Sequence, residues 1–313
     1  MSAPNVLSAW GRLARWVDNE AAAGALREAA PHAIDWWRVV PYVAIHLACL
    51  AVFAVGSSAT AVGAAIVLYV LRMFAITGFY HRGLSHRAFR TSRATQLVFA
   101  ALATMAAQRG PLWWVSHHRH HHAHADAVAD PHSPRQHGFV WSHTGWFLAA
   151  DNFATRTDQV RDLACYPELR FLDRFDVLPP LALAVILYGL GGWLNHVAPG
   201  LGTSGPQLFI WGFCVSTVAL WHATFCINSL AHRTGRRRYA TRDDSRNNAA
   251  LAVLTLGEGW HNNHHHFPGA ARQGFYWWEI DCTYYALKGL AACGIVWDLK
   301  AVPPAMLAAR RVA

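Results

Sequence analysis

The chain has 313 residues, of which 54% are hydrophobic and 14% are charged, and its mean hydropathy is +0.15. An ordinary soluble domain carries about 25% charged residues, so this composition excludes intrinsic disorder and small disulfide scaffolds and favours a membrane protein. The formal net charge of +9 would suit nucleic acid or anionic lipid head groups, and the position of the arginines beside apolar segments favours membrane lipids over nucleic acid.

The chain alternates between apolar runs and arginine-rich segments. Residues 1–38 mix charged residues with alanines and predict a cytoplasmic N-terminal segment, and residues 39–313 predict one membrane domain. Four apolar runs of about 17–21 residues are each long enough to cross a hydrocarbon core of about 30 Å as a helix. They predict two helical hairpins, with spans at residues 39–55, 60–79, 177–193 and 208–228.

The four runs and the stretches between them predict an all-α, polytopic membrane protein. Arg72 is the one charged residue inside the runs, and its position near the end of the second predicts that its side chain reaches the interface. Three weaker apolar stretches predict surface or partly immersed helices that cover the intramembrane core. These stretches are residues 97–107, 249–256 and 284–296.

The distribution of arginine predicts the orientation of the spans. The turns inside the two predicted hairpins contain no Lys or Arg, whereas arginines cluster in the N-terminal segment, after the second span and after the fourth. By the positive-inside rule, both termini and both long segments lie in the cytoplasm. These segments contain nearly all of the histidines, so we expect a cytoplasmic helical cap that holds a histidine-rich site.

Three histidine clusters lie near the cytoplasmic ends of the predicted spans. In the second and third clusters the spacing is i, i+3 and i+4, which places the rings on one face of a helix. The two histidines of the first cluster are five residues apart, about 140° around an α-helix, so we expect each to serve a different metal. The clusters contain His81 and His86; His118, His121 and His122; and His261, His264 and His265.

The residue types point to a site made almost entirely of histidine. Neutral imidazole suits iron, zinc, copper or nickel, so ligand type leaves the ion open, and the number of histidines predicts more than one ion. Soluble carboxylate-bridged bundles need Glu-x-x-His on two helices, and Glu258-x-x-His261 is the only such element here. The six cysteines form no C-x-x-C pair and are interpreted as buried apolar residues.

These motifs resemble those of membrane fatty-acid desaturases of the Δ9, stearoyl-CoA-desaturase-like branch, bacterial type. His81–His86 is similar to the first histidine box as H-x-x-x-x-H, His118–His122 to the second as H-x-x-H-H, and Gly257–His265 to the third as G-E-G-x-H-N-x-H-H. The resemblance extends to further motifs between about residues 69 and 299. They are Asp130-Pro131-His132, Ser142–Trp146, Asn228-x-x-x-His232, Asp244–Asn248 and Trp277–Glu279.

The resemblance implies two iron ions and a set of ligands for them. Asn228 would reach one ion through water, and Asp130 and Glu258 would orient ligand rings, whereas Asp126 is left open between that role and a solvated acid. Four further histidines, at positions 117, 120, 124 and 266, lie off the motif positions and are interpreted as non-ligands. The implied ligands are His81, His86, His118, His121, His122, His232, His261, His264 and His265.

The resemblance also implies an activity, with no catalytic side chain beyond the metal ligands. Molecular oxygen would be used to introduce a cis double bond, at Δ9, into a long saturated chain carried as acyl-CoA or acyl-lipid in a bacterial inner membrane. Animal members carry an Arg-Asp pair that helps to hold coenzyme A where this chain has Ser116-His117, which leaves a lipid or carrier-protein head group open. No haem motif of a fused cytochrome b5 is present, so we expect a separate donor such as a ferredoxin or rubredoxin.

Two other functions fit parts of the pattern. A hydroxylase or ketolase of the same histidine-rich superfamily shares the first hydrogen abstraction, and the third histidine box favours desaturation over it. A metal transporter would place ligands within its spans, where only His46 and His222 are available. Trp113, Trp114, Trp277 and Trp278 are interpreted as an interfacial belt in preference to a tunnel mouth.

Overall fold

The computed structural model describes residues 14–22 and 32–309, and this part of the chain is mainly helical. One pair of two-residue antiparallel strands, β1 (Arg90–Thr91) and β2 (Val296–Trp297), joins the segment after the second span to the C-terminal region. The longer helices are α1 (Trp36–Val55), α2 (Ala59–Ser85), α3 (Arg93–Thr104), α4 (Pro111–His124), α5 (Pro167–Arg174), α6 (Leu178–Val197), α7 (Gly205–Ser229), α8 (Ala249–Leu254), α9 (His261–His266) and α10 (Cys282–Ala292). Short helical turns lie at Asn19–Ala22, Pro134–His137, Trp141–Gly145, Trp146–Leu148, Ala150–Asn152, Thr157–Val160, Pro199–Leu201 and Pro304–Leu307.

Four of these helices, α1, α2, α6 and α7, are long and apolar enough to cross a membrane. They match the four predicted spans, and the weaker apolar stretches form α3, α8 and α10, so the predicted helical elements are confirmed. The ends differ for local reasons. The first span begins at Trp36 because the Asp35 carboxylate accepts a hydrogen bond from the Trp37 N–H at 3.2 Å. The second continues to Ser85 because its last eleven residues, Ala75–Ser85, form a π-helix.

Close backbone contact joins α6 to the start of α7. A Cβ atom at Gly191 would lie 2.3 Å from the carbonyl oxygen of Ser204, and one at Gly205 would lie 2.7 Å from that of Tyr188. Only glycine fits at such distances. α7 also packs along α2, so the second and fourth spans together form the base of the site.

Arg72 does not reach an interface, and the sequence prediction for it is wrong. Its side chain is only 1% exposed, because oxygen atoms from three helices surround it. The guanidinium donates to the carbonyl oxygens of Leu68 and Met105, to Oγ1 of Thr217 at 2.7 Å, and to the hydroxyl of Ser216. A buried guanidinium that is hydrogen-bonded in this way stabilises the packing of α2 against α7 and the end of α3.

Helix α4, which carries the second histidine cluster, is fixed at its N-terminus by a carboxylate from α5. Gly110 precedes the helix and has no capping side chain, and Asp173 Oδ1 accepts a hydrogen bond from the Trp113 N–H at 2.7 Å. A Cβ atom at Gly110 would lie 2.3 Å from Cα of Asp173, so the approach requires glycine. Burial raises the pKa of Asp173 to about 6.

Candidate metal centre

Nine histidines lie in two adjacent groups at the ends of α2 and α7, between α4 and α9. Within each group the ligand-type nitrogens are all within 4.8 Å of one another, and five of the nine side chains are buried and four half-buried. The first group is His81, His86, His118, His122 and His264, and the second is His121, His232, His261 and His265. These are the nine histidines that the sequence motifs single out.

Helices α4 and α9 each contribute to both groups. His118 and His122 of α4 point to the first group and His121 to the second, and α9 contributes His264 to the first and His265 to the second. The i, i+3, i+4 spacing therefore places rings on one side of each helix, as predicted, and the side is wide enough to serve two neighbouring positions.

His81 and His86 lie in the same group, and the prediction that they serve different metals is wrong. That prediction assumed α-helical geometry, whereas this segment is π-helical. In a π-helix the backbone bond joins residues i and i+5, and the His86 N–H donates to the His81 carbonyl oxygen at 3.2 Å. The two rings are consequently 4.9 Å apart between centroids.

The spacing of the imidazole nitrogens fits bound metal ions. The Nε2 atom of His264 lies 3.0 Å from Nε2 of His81 and 2.9 Å from Nε2 of His122. The Nε2 atoms of His232 and His261 are 3.0 Å apart. For metal–nitrogen bonds of about 2.1 Å, two ligands at a right angle have nitrogens about 3.0 Å apart. The facing nitrogens therefore have the separation that ligands of one ion need.

The orientation of His265 supports the same conclusion. Its Nδ1 donates to Asp243 Oδ2 at 3.0 Å, so its Nε2 is the unprotonated acceptor of the ring. This Nε2 is buried, and no donor among the described residues reaches it. A buried acceptor without a donor is costly, and a cation would satisfy it.

Carboxylates fix the orientation of four of the nine rings through Nδ1. Asp126 accepts from His232 at 2.7 Å and Asp130 from His121 at 3.0 Å, and Glu258 pairs with His81. The contacts expected for Asp130 and Glu258 are therefore present, and Asp126, which the sequence left open, makes one as well. Asp243 was missed, although it stands directly before the Asp244–Asn248 motif.

A fifth polar side chain near the rings, Gln273, was also missed. Its Nε2 lies 3.3 Å from Nδ1 of His81, 3.4 Å from Nδ1 of His264, and 3.1 Å from Glu258 Oε2. No motif in the sequence marks it, because it approaches the site from a loop beyond α9. It extends the hydrogen-bonded shell around the first group.

The electrostatics keep six of the nine imidazoles neutral and their carboxylate neighbours ionised, whereas the Asp130 carboxylate, acting against burial, raises the pKa of His121. Burial, together with neighbouring imidazoles, lowers the pKa of five histidines well below the usual value, and burial lowers that of His265 to about 4. Burial alone would raise the pKa of Asp126, Asp130 and Asp243, and their imidazole partners hold it below the usual value instead. Unprotonated imidazole is the form that binds metal. The five histidines are His86, His118, His122, His261 and His264.

We expect the Asp243→Asn variant to bind metal about 10–100-fold more weakly, because His265 loses the partner that fixes its tautomer. The measurement is the iron content per chain at a series of chelator concentrations. Asp244→Asn is the matched control, since the neighbouring carboxylate lies 3.6 Å from Arg135 and 3.8 Å from Arg237 and contacts no histidine in the described part of the chain. Equal iron retention in the two variants would contradict a role for Asp243.

The four histidines interpreted as non-ligands each hydrogen-bond a backbone carbonyl oxygen. His117 Nε2 lies 3.3 Å from the oxygen of Ala154, and His120 Nε2 lies 2.9 Å from that of Ala129. His124 bonds to the carbonyl of His120, and His266 to that of Met306 at 3.0 Å. None of the four belongs to either of the two histidine groups.

An apolar cavity of about 570 Å³ reaches the centre from the side of the spans. His81, His118, His121, His261 and Asn228 line its inner end. Trp113 and Trp114 also line it, so assigning these two to an interfacial belt is wrong, whereas Trp277 and Trp278 are 80% and 53% exposed. The cavity lies within the size range of small-molecule sites, about 300–1,000 Å³.

His46 and His222 do not form a metal group of this kind. Their Nε2 atoms lie 3.0 Å apart, and Nδ1 of His222 lies 3.0 Å from Nε2 of His143. These three rings are arranged as a hydrogen-bonded row, in contrast to a cluster around one point. His46 and His222 therefore bond to each other and to His143, and among the described residues neither belongs to a group that could hold a metal ion.

Comparison with known proteins gives consistent matches over most of the chain. The family model for fatty acid desaturases matches residues 56–292. The chain is 38% identical over 273 residues to the palmitoyl-monogalactosyldiacylglycerol delta-7 desaturase of Arabidopsis thaliana, covering 86% of this chain and 69% of the relative. It is 35% identical over 270 residues to the sn-1 stearoyl-lipid 9-desaturase of Anabaena variabilis, which covers 85% of this chain and 94% of the relative. It is 37% identical over 270 residues to an acyl-CoA 5-desaturase of Anemone leveillei, which covers 85% of this chain and 79% of the relative.

Proposed function

Because the chain belongs to the fatty acid desaturase family, and is an oxidoreductase that desaturates acyl chains, we propose that its two histidine groups hold two iron ions. The observation that carries the proposal is the buried Nε2 of His265, which has no hydrogen-bond partner among the described residues and lies within 4.8 Å of the ring nitrogens of three other histidines. Asn228 contributes through a water molecule. The metal ligands are His81, His86, His118, His121, His122, His232, His261, His264 and His265.

The bound iron ions supply the redox chemistry by which molecular oxygen is activated. In the balanced reaction, a –CH2–CH2– unit, O2, two electrons and two protons give a –CH=CH– unit and two water molecules. The side chains of this protein hold the ions, orient the ligand rings through Asp126, Asp130, Asp243 and Glu258, and keep bulk water from the reacting carbons. No side chain acts as a nucleophile.

The substrate in this proposal is a long saturated acyl chain that lies in the apolar cavity. Most of its wall beyond the histidines is built from aliphatic and aromatic side chains, which suit a hydrocarbon. The Δ9 position is supported by the similarity to a stearoyl-lipid 9-desaturase, and the carrier is acyl-lipid or acyl-CoA. Wall residues include Ile76, Phe209, Phe213, Trp221 and Phe225.

The protein is proposed to be an integral membrane protein of a bacterial inner membrane, with four spans in two hairpins. Both termini, residues 1–38 and the helical cap of the 39–313 domain face the cytoplasm, because the arginines flank those ends of the spans. The electrons come from a separate acidic donor of the ferredoxin or rubredoxin type, which an arginine-rich surface attracts.

Expression in an aerobic bacterial host tests this function. We expect a new cis-monoene, located by mass spectrometry of derivatised fatty esters, that is absent with His121→Ala and retained with His120→Ala, whose ring bonds to the carbonyl oxygen of Ala129. A hydroxy acid in its place would assign the chain to the hydroxylases. If the iron-loaded protein forms no product when a ferredoxin is supplied, the proposal of an acyl substrate is contradicted.

A further inference from the structure

Three arginines line the end of the cavity that is remote from the histidine groups. Arg15 comes from the segment before α1, Arg38 from the first turn of α1, and Arg109 from the turn before α4. Their side chains are only 10%, 13% and 21% exposed. Burying guanidinium groups is costly unless anions, other acceptors or aromatic rings compensate for it, and the ring of Phe153 stacks against Arg38 and Arg109.

The nearby carboxylates leave several of the arginine nitrogens without a hydrogen bond. Asp35 is shared between Arg15 and Arg38, with Arg38 Nη2 at 3.5 Å, and Asp176 pairs with Arg109 at 3.2 Å. In the part of the chain that the structure describes, the three guanidinium groups therefore form ion pairs with two carboxylates, and the charge of Arg109 also acts on a third, Asp173. Among the described residues, both Nη atoms of Arg38 and Nε of Arg15 are buried without a hydrogen-bond partner. These buried nitrogens would suit a ligand with several acceptor oxygens.

The same end of the cavity opens sideways between two spans. Pro41 and Tyr42 of α1 form one edge, and Pro180 and Leu181 of α6 form the other. Leu181 lines the cavity and is also 55% exposed on the outer surface, so the opening reaches the outside of the bundle at this point. Each edge lies near the start of a span, which is the depth of lipid head groups.

We propose that Arg15, Arg38 and Arg109 bind the phosphate of a glycerophospholipid, whose acyl chain enters the cavity sideways between α1 and α6. A phosphodiester is an anion, and its oxygens match the forked donors of guanidinium groups. An uncharged diacylglycerol or glycolipid would leave the arginine nitrogens unpaired. The inference rests on the proposed function only in that the occupant carries an acyl chain.

Lipid binding to the purified full-length protein in neutral detergent tests this site without iron or an electron donor. We expect native mass spectrometry to show dioctanoyl phosphatidylglycerol binding at least about tenfold more tightly than dioctanoylglycerol. Arg38→Gln should weaken phosphatidylglycerol binding about tenfold. Arg38→Lys, which keeps the charge, should weaken it less. Arg90→Gln is the control, because that side chain is 74% exposed and lies 3.5 Å from Asp298.

Three results would overturn the proposal. They are equal affinity for the charged and uncharged lipids, an unchanged affinity in a folded Arg38→Gln variant, and tighter Arg38-dependent binding of octanoyl-CoA than of phosphatidylglycerol. The last would assign the arginines to a soluble thioester. Since binding is read directly, an inactive but lipid-selective protein would contradict the proposed function and leave the phosphate site intact.

Discussion

Replacing His264 with alanine is expected to reduce desaturation by more than about 100-fold and to lower the iron content of the purified protein. His264 is 1% exposed, and its Nε2 faces those of His81 and His122, so it lies at the centre of the first group. Loss of a residue that only orients a ligand lowers metal affinity or activity about 10–100-fold, and loss of a central ligand lowers them further.

A nearby histidine of α9, His266, provides the control for this variant. His266 lies two positions further along α9, stacks on Tyr239 and bonds to the carbonyl oxygen of Met306. We expect His266→Ala to keep its iron and most of its activity, as measured by metal analysis and product formation in parallel. If His264→Ala retained both irons, or if His266→Ala lost as much iron, the assignment of ligands would be wrong.

The second large effect concerns stability and comes from Arg82. This side chain is 1% exposed and donates to Glu258 at 3.0 Å, to Asp281 at 2.9 Å and to the carbonyl oxygen of Ala271 at 2.8 Å. Removing one partner of a buried ion pair leaves uncompensated charge and costs about 3–5 kcal/mol. We therefore expect Arg82→Ala to lower the free energy of unfolding by about that amount, measured as a lower thermal midpoint in detergent.

Arg87→Ala is the matched control for Arg82→Ala. Arg87 pairs with Asp162, but its side chain is 64% exposed, and exposed ion pairs contribute about 0–1 kcal/mol. Asp162 also keeps Arg119 as a partner, at 2.7 Å. Similar thermal midpoints for the two variants would show that the buried network around Glu258 does not stabilise the protein as argued.

Much of this fold was predictable from the sequence because a membrane restricts the choices. An apolar run of about 20 residues can only be a helix in lipid, so the four candidate spans follow from hydropathy and length. Their ends were less predictable. The extension of the second span to Ser85 depends on a π-helix, which hydropathy does not encode.

The histidines were identified from short motifs, whereas their grouping required three-dimensional structure. The spacing of His81 and His86 leads to the wrong conclusion if an α-helix is assumed, because the local helix type decides the angle between them. Asp243 and Gln273 reach the rings from separate loops, so no spacing rule connects them to the ligands. Arg72 was assigned to the interface because sequence does not reveal the oxygen atoms of α3 and α7 that surround it.

The central claim is that nine imidazoles hold two iron ions, and X-ray absorption at the iron edge, combined with iron counting, tests it most directly. We predict two irons per chain, each with nitrogen neighbours and the multiple-scattering pattern of several imidazole rings, and a reduced imidazole signal in His265→Ala. One iron per chain, or a coordination shell made mainly of carboxylate oxygen or sulfur, would contradict the claim.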